Sequence, residues 1–190
     1  SLARLGHQCH FVSKLPSNPL ADHAIASLNQ YGISTQHILR GGERIGTYFI
    51  ELGSSIRPSR VVYDRAYSAI AQINEKEFDW PQIFASKQHF HLSGILPALS
   101  EQCAFESIKA VKIAREMGLT VSFDLNYRRS LWRDSSVARD YFSQILAHST
   151  LAFGNAGVMQ DVFDFTPKSN DSVTAAQAIG VYLLEQFGVD

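Results

Sequence analysis

The sequence predicts an α/β fold, a parallel sheet flanked by helices with a small β-sheet inserted into it. Three observations predict it. From Asn74 onward, short apolar β-rich runs alternate with stretches of helical period, the pattern of parallel strands joined by right-handed crossovers. Between Gly32 and Glu75 that rhythm stops: no helix of normal length fits, and two short strand candidates flank a Gly/Ser/Pro-bearing turn. Three successive strands end in glycine or polar residues, at Ser93-Gly94-Ile95, at Asp124-Leu125-Asn126 and at Gly154-Asn155. In open α/β sheets, ligands bind in the crevice beyond the carboxyl ends of the strands. The reading is therefore a Rossmann-like core over residues 1–34 and 72–190, with a β-insert over 35–71.

Taken in order, residues 1–6 read as the last turn of a helix closed by Gly6, as in a piece of a longer protein. Residues 10–15 form a strand. Asn18-Pro19 opens a helix in which Leu20, Ala24, Ile25 and Leu28 recur at helical spacing, and Tyr31-Gly32-Ile33 closes it. Residues 46–52 and 59–65 are the two strands of the insert, joined by a turn over 53–58. A short helix holds Phe78, Trp80, Ile83 and Phe84, and residues 88–93 are a strand. Ser100 caps a helix running to Met117, with Cys103, Ile108, Val111 and Ala114 near one face. Residues 119–124 are the central strand, 134–147 a helix, 151–153 a strand and 172–187 a helix.

Composition narrows the function. The 190 residues carry a formal net charge of −1, so no global attraction to nucleic acid or anionic membrane is expected. Two cysteines, Cys9 and Cys103, without CxxC spacing fit a reducing compartment and speak against a disulfide framework or a zinc site. No apolar run is long enough for a transmembrane helix, and the first residues lack the pattern of a signal peptide. The histidines are scattered; His89 and His91 alternate on a strand, with no carboxylate at ligand spacing. Gly-rich dinucleotide and P-loop motifs, GxSxG and HExxH are absent.

What remains is a crowd of polar groups around the central strand end. Asp124, Asn126 and Arg128 there suit a polyhydroxylated anion, and Arg128 has the geometry to grip a carboxylate with two parallel hydrogen bonds. The same residues suit equally a turn cap and a surface cation. In the insert, Gly46, Tyr48 and Ile50 share one strand face, and Tyr63 and Arg65 share one face of the next. Cross-strand packing explains these side chains as well as ligand contact does.

These residues resemble a known family. Leu2-Ala3-Arg4-Leu5-Gly6, GTYFIEL with RVVYDRAYSAIA over 46–71, HLSGILPALS over 91–100 and, above all, FDLNYRRSLW over 123–132 are similar to the ribokinase-like (pfkB-type) carbohydrate kinases, nearest their 2-keto-3-deoxygluconate kinase branch. The resemblance runs over nearly all of this chain and about three-fifths of a family member. It implies that the insert is a lid over the sugar and a clasp between two copies of a homodimer. It implies sugar contacts from Tyr48, Tyr63, Arg65 and Ile95, and an arginine at Arg128 that reaches substrate or the transferred phosphate. Asn126 falls on the phosphate side and Asp124 supports the strand end. Asn155 opens the family's NxxE motif, tied to magnesium and phosphate, but Val158 stands where the acidic residue belongs.

The implied reaction is transfer of the ATP γ-phosphoryl group to a keto-sugar acid, with ATP and Mg2+, in the cytoplasm. The alternatives are a fructokinase- or ribokinase-like enzyme of a neutral sugar, and a non-catalytic sugar-binding relative. The family's glycine-rich substrate segment is expected before Ser1, and its GAGD motif with the catalytic base beyond Asp190. The expectation is therefore that this chain alone does not turn over.

Overall fold

The computed structural model describes residues 2–169 and 171–189. The chain divides into two compact units, Ser1–Asn74 and Glu75–Asp190.

In the first unit, β1 (Cys9–Leu15) leads through α1 (Pro19–Gln30) to β2 (Ile33–Arg40), and the two strands pair in parallel from Cys9 against Ile33 to Leu15 against Arg40. The helix starts where the residues dictate. Asn18 Oδ1 accepts the Ala21 N–H at 3.0 Å, and Pro19 takes the first helical position, where its missing N–H costs nothing. Strand β2 is absent from the sequence-based reading, which gives residues 35–71 to the insert. Residues 35–40 instead belong to β2 and extend the parallel pair. Gln36 and His37 interrupt its apolar residues, and only Ile38 is buried, so neither alternation nor a continuous apolar run marks it.

The insert is a separate two-stranded antiparallel sheet of β3 (Thr47–Glu51) and β4 (Arg60–Asp64), in register from Thr47 against Asp64 to Glu51 against Arg60. Its turn needs glycine at Gly53, where a Cβ would lie 2.2 Å from the Arg57 carbonyl oxygen. Arg44 fastens its base, donating to the Ala66 carbonyl at 2.8 Å and pairing with the Asp64 carboxylate. Every β4 residue is exposed, and so are the last four of β3.

The second unit restores the alternation: α2 (Trp80–Phe84), β5 (His89–Ser93), α3 (Glu101–Glu116), β6 (Thr120–Asp124), α4 (Ser135–Leu146), β7 (Leu151–Phe153), α5 (Ala156–Phe163) and α6 (Ser172–Phe187). Strands β5, β6 and β7 form one parallel sheet in that order, as the sequence predicts. Side-chain oxygens cap five of the helices: Asp79, Ser100, Asp134, Asn155 and Asp171 accept an N–H from the first turn of α2, α3, α4, α5 and α6. Helix α5 is the second element missing from the sequence-based reading. It spans only 8 residues and starts inside a stretch read as a motif, Asn155-Ala156-Gly157-Val158.

The core of this unit forms on one sheet face, because alternate residues of a strand point the same way. Leu92, Val121 and Phe123 join Cys103, Ala110, Val111 and Ala114 of α3 and Phe142, Ile145 and Leu146 of α4, all 5% exposed or less. Ile108, expected on that α3 face, is only half-buried, while Glu106 is buried and accepts the Trp80 indole N–H at 2.8 Å. Phe123 meets Phe142 edge to face, their centroids 5.2 Å apart. Directly beyond β5, Gly94 is wedged into this packing: a Cβ there would stand 2.1 Å from the Leu125 carbonyl oxygen and 2.7 Å from Phe142 Cζ.

That contact generates a stability prediction. Gly94→Ala must push β5 away from β6, and overpacking of this kind typically costs about 1–3 kcal/mol. Urea denaturation should show the midpoint falling at unchanged slope; an unaltered midpoint would refute the close packing at Gly94.

Candidate functional site

The first group of candidate residues lies on one face of the insert. Tyr48 sits opposite Tyr63 in the β3–β4 register, with ring centroids 6.2 Å apart. Arg65, two residues beyond Tyr63, folds its guanidinium over that ring at 4.2 Å from the centroid. The sequence placed these side chains on the faces of their separate strands; the register makes them a single surface, which Ile50 and Val61 extend. Among the described residues the Arg65 guanidinium meets no hydrogen-bond acceptor and no carboxylate.

The second group gathers at the carboxyl ends of β5, β6 and β7. Asp124 ends β6, and its Oδ1 accepts the Asn126 backbone N–H at 3.2 Å. Between them Leu125 is fully buried and donates its N–H to the Phe153 carbonyl at 2.9 Å, while Gly94 donates to the Asp124 carbonyl at 2.7 Å. The three strand ends are thereby tied to one another. Asn126 takes a φ of +31°, a conformation that asparagine tolerates better than most side chains, and its Nδ2 donates to Ser93 Oγ at 3.3 Å. Ile95, the expected apolar wall, is half-buried just past Gly94. Ser93 was not singled out as a site residue by sequence; the available signal is its pairing directly opposite Asp124.

Arg128 follows two residues after Asn126. It is exposed, and among the described residues its guanidinium has no partner, whereas Arg129 next to it pairs with Asp161 at 2.7 Å. A polar cleft of about 190 Å³ lies beside this segment, lined by Tyr127, Arg129, Trp132, Arg133, Asp134, Ser135 and Asp161. Burial, and then the Asp161 carboxylate, push the Tyr127 phenol above its ordinary pKa.

A model of pfkB family carbohydrate kinases matches residues 1–181. The chain belongs to that family. It is 38% identical over 138 residues to the 2-dehydro-3-deoxygalactonokinase of Haloferax volcanii, covering 73% of this chain and 43% of the relative. It is 30% identical over 137 residues to the 2-dehydro-3-deoxygluconokinase of Bacillus subtilis, covering 71% and 42%. The crystal structure of the Thermotoga maritima 2-dehydro-3-deoxygluconokinase superposes with a TM-score of 0.93 at 38% identity, over 99% of this chain and 57% of that one. The chain thus spans roughly half the length of the kinases it matches.

In this pfkB chain Asn155 is the N-cap of α5, its Oδ1 accepting the Val158 N–H at 3.1 Å. That bond occupies the amide oxygen, and the fourth residue of the motif is an apolar valine. Among the described residues no group of three or more His, Cys, Asp or Glu is placed to hold a metal ion.

One titratable cluster lies on β5 and β6. Ser122 Oγ sits 2.8 Å from His89 Nε2 and 2.7 Å from His91 Nδ1, on the sheet face opposite the α3–α4 packing. A hydroxyl has one proton to donate, so at least one of the two ring nitrogens must itself donate to the Ser122 oxygen. Burial, and then the charge of His91, lower the His89 pKa below its ordinary value. A histidine whose pKa is depressed on folding contributes fully above its unfolded pKa of about 6.5 and loses that contribution as pH falls through the folded value. Unfolding midpoints should therefore drop from pH 7.5 to pH 5.5 more steeply in wild type than in His89→Gln. Parallel declines in the two proteins would remove His89 as the cause.

Proposed function

We propose that this chain supplies the sugar-side and part of the phosphate-side machinery of a kinase that transfers the γ-phosphoryl group of ATP to a hydroxyl of a keto-sugar acid such as 2-keto-3-deoxygluconate. The observation that carries the reading is the state of the two arginines that the resemblance marks for substrate. Arg65 and Arg128 hold no carboxylate among the described residues, as is also true of Arg4, Arg60, Arg115 and Arg133, whereas Arg40, Arg44, Arg57, Arg129 and Arg139 each hold one. A planar fork of donors without an internal acceptor suits a carboxylate or a phosphate. The names of the relatives, kinases of 2-dehydro-3-deoxy sugar acids, support the same substrate class.

In this reading Tyr48 and Tyr63 present ring faces and hydroxyls to the sugar, Arg65 meets its carboxylate, and Ile95 forms an apolar wall. Arg128 and Asn126 face the transferred phosphate, where fixed donors stabilise developing negative charge without reorganising. Asp124 keeps its carboxylate on the Asn126 N–H and supports the turn rather than accepting a substrate proton. ATP enters as its magnesium complex, a substrate rather than a resident group. Cys9 and Cys103, neither of them in a disulfide, support a reducing, cytoplasmic setting, and no helix among the described residues is long and apolar enough to cross a membrane.

A second reading, a sugar-binding relative that does not turn over, draws on Val158 in place of the motif acid. Kinetics of the complete protein with ATP and a panel of sugars separate the two. Arg65→Ala should weaken handling of the sugar acid by about 10- to 150-fold, the equivalent of a lost charge-assisted contact of about 1.5–3 kcal/mol, and leave a neutral analogue nearly unchanged, while Arg128→Ala should weaken turnover of both by a similar factor. Equal turnover of acid and neutral sugar by wild type would favour the fructokinase-like reading, and binding without turnover the sugar-binding one.

The insert also supports a homodimer. With Tyr48, Ile50, Val61 and Tyr63 on one face, its other face still exposes Phe49 and Val62, 63% and 46% accessible and directly paired. A second copy covering that face is the occupant proposed here. Light scattering should find wild type as a dimer and Phe49→Asp as a monomer; a dimer that survives Phe49→Asp would place the contact elsewhere.

A further inference from the structure

We propose that Ser93 is a positioning residue for the phosphate side of the site, acting through Asn126. This inference rests on the kinase reading. Ser93 ends β5 and pairs in register with Asp124, the last residue of β6. Its Oγ receives the Asn126 Nδ2–H at 3.3 Å and faces the Ile95 backbone N–H at 3.5 Å. One hydroxyl therefore touches two of the residues assigned to the site.

The arrangement decides how the Asn126 amide is presented. Asn126 stands just past the strand end at a φ of +31°, where the backbone alone would not hold an amide group in one direction. Asp124 Oδ1 fixes its backbone N–H, and Ser93 Oγ fixes one of its two side-chain N–H bonds. An amide nitrogen anchored by one hydrogen has its second hydrogen at a set angle, about 120° away in the amide plane. That second N–H is a preorganised donor for an anionic oxygen, while the amide oxygen, turned away from Ser93, is not presented in its place. Without the Ser93 hydroxyl the amide is free to rotate end for end, offering its oxygen to a phosphate as readily as its nitrogen.

The test is steady-state kinetics of the complete protein with ATP and 2-keto-3-deoxygluconate. Ser93→Ala should lower kcat/KM for ATP by about three- to tenfold, the effect of one lost neutral hydrogen bond, with KM for the sugar acid within about twofold of wild type. Ser93→Thr, which keeps the hydroxyl, should restore the value. In an Asn126→Ala background, Ser93→Ala should add nothing, since its partner is gone. A purely structural serine would lower kcat/KM for ATP, raise KM for the sugar acid as well, and cost the same in either background, which would overturn the inference. Ser93→Ala kinetics equal to wild type would overturn it as well. If wild type phosphorylates no sugar or sugar acid, the kinase reading itself fails and Ser93 loses the role with it; an active wild type beside an unaffected Ser93→Ala leaves that reading standing. Should Ser93→Ala not fold, Ser93→Cys, similar in size but a weak acceptor, takes its place under the same outcomes.

Discussion

Leu125 holds the strand ends of the second unit together. It is fully buried, its N–H is bound to Phe153 at the end of β7, and its carbonyl lies so close to Gly94 that no side chain fits there. The residues on either side of it are polar and face a different task, since Asp124 and Asn126 bond to one another across it. An apolar anchor between two polar neighbours is a physical solution to a common problem. Site side chains need fixed positions, yet they cannot be buried deeply without losing access to ligand. Here the N–H of the anchor is bound within the fold, and its neighbours inherit the rigidity.

Much of this was legible in the sequence because it rests on local chemistry. The central strand announced itself by an apolar run after Gly118, and the starts of α1 and α3 by Asn18-Pro19 and Ser100. The insert showed in a change of texture, and its strands are where the pattern put them. Two elements escaped. Strand β2 buries little of itself, and its polar centre breaks the alternation; helix α5 follows its strand so directly that its first residues read as a motif.

The site was legible by residue type and less so by geometry. Nothing in the sequence fixes which residue of β3 stands opposite Tyr63, and that register is what turns two separate strand faces into one surface with Arg65 across it. Likewise, Asn155 was visible as the opening of a motif, but its service as a helix cap depends on α5 being present. Ser93 was visible as part of a polar strand end, but its hydrogen bond with Asn126 joins residues 33 positions apart in the chain. Long-range pairing is the information that periodicity and propensity do not carry.

The insert has a thermodynamic consequence of its own. A two-stranded ribbon of five-residue strands, with neither face buried along most of its length, is at best marginally stable in water. Much of its order must come from whatever lies against it, so its backbone amides should exchange with solvent far faster than those of β6. A ligand that settles on Tyr48 and Tyr63 then does two things at once, making contacts and stiffening the ribbon. Its affinity would be lower than the contacts alone would give, and its heat-capacity change more negative than the ligand's own small surface accounts for. Under the function proposed above, a sugar acid would act here as the missing part of a core, and selectivity would depend on which ligands complete it.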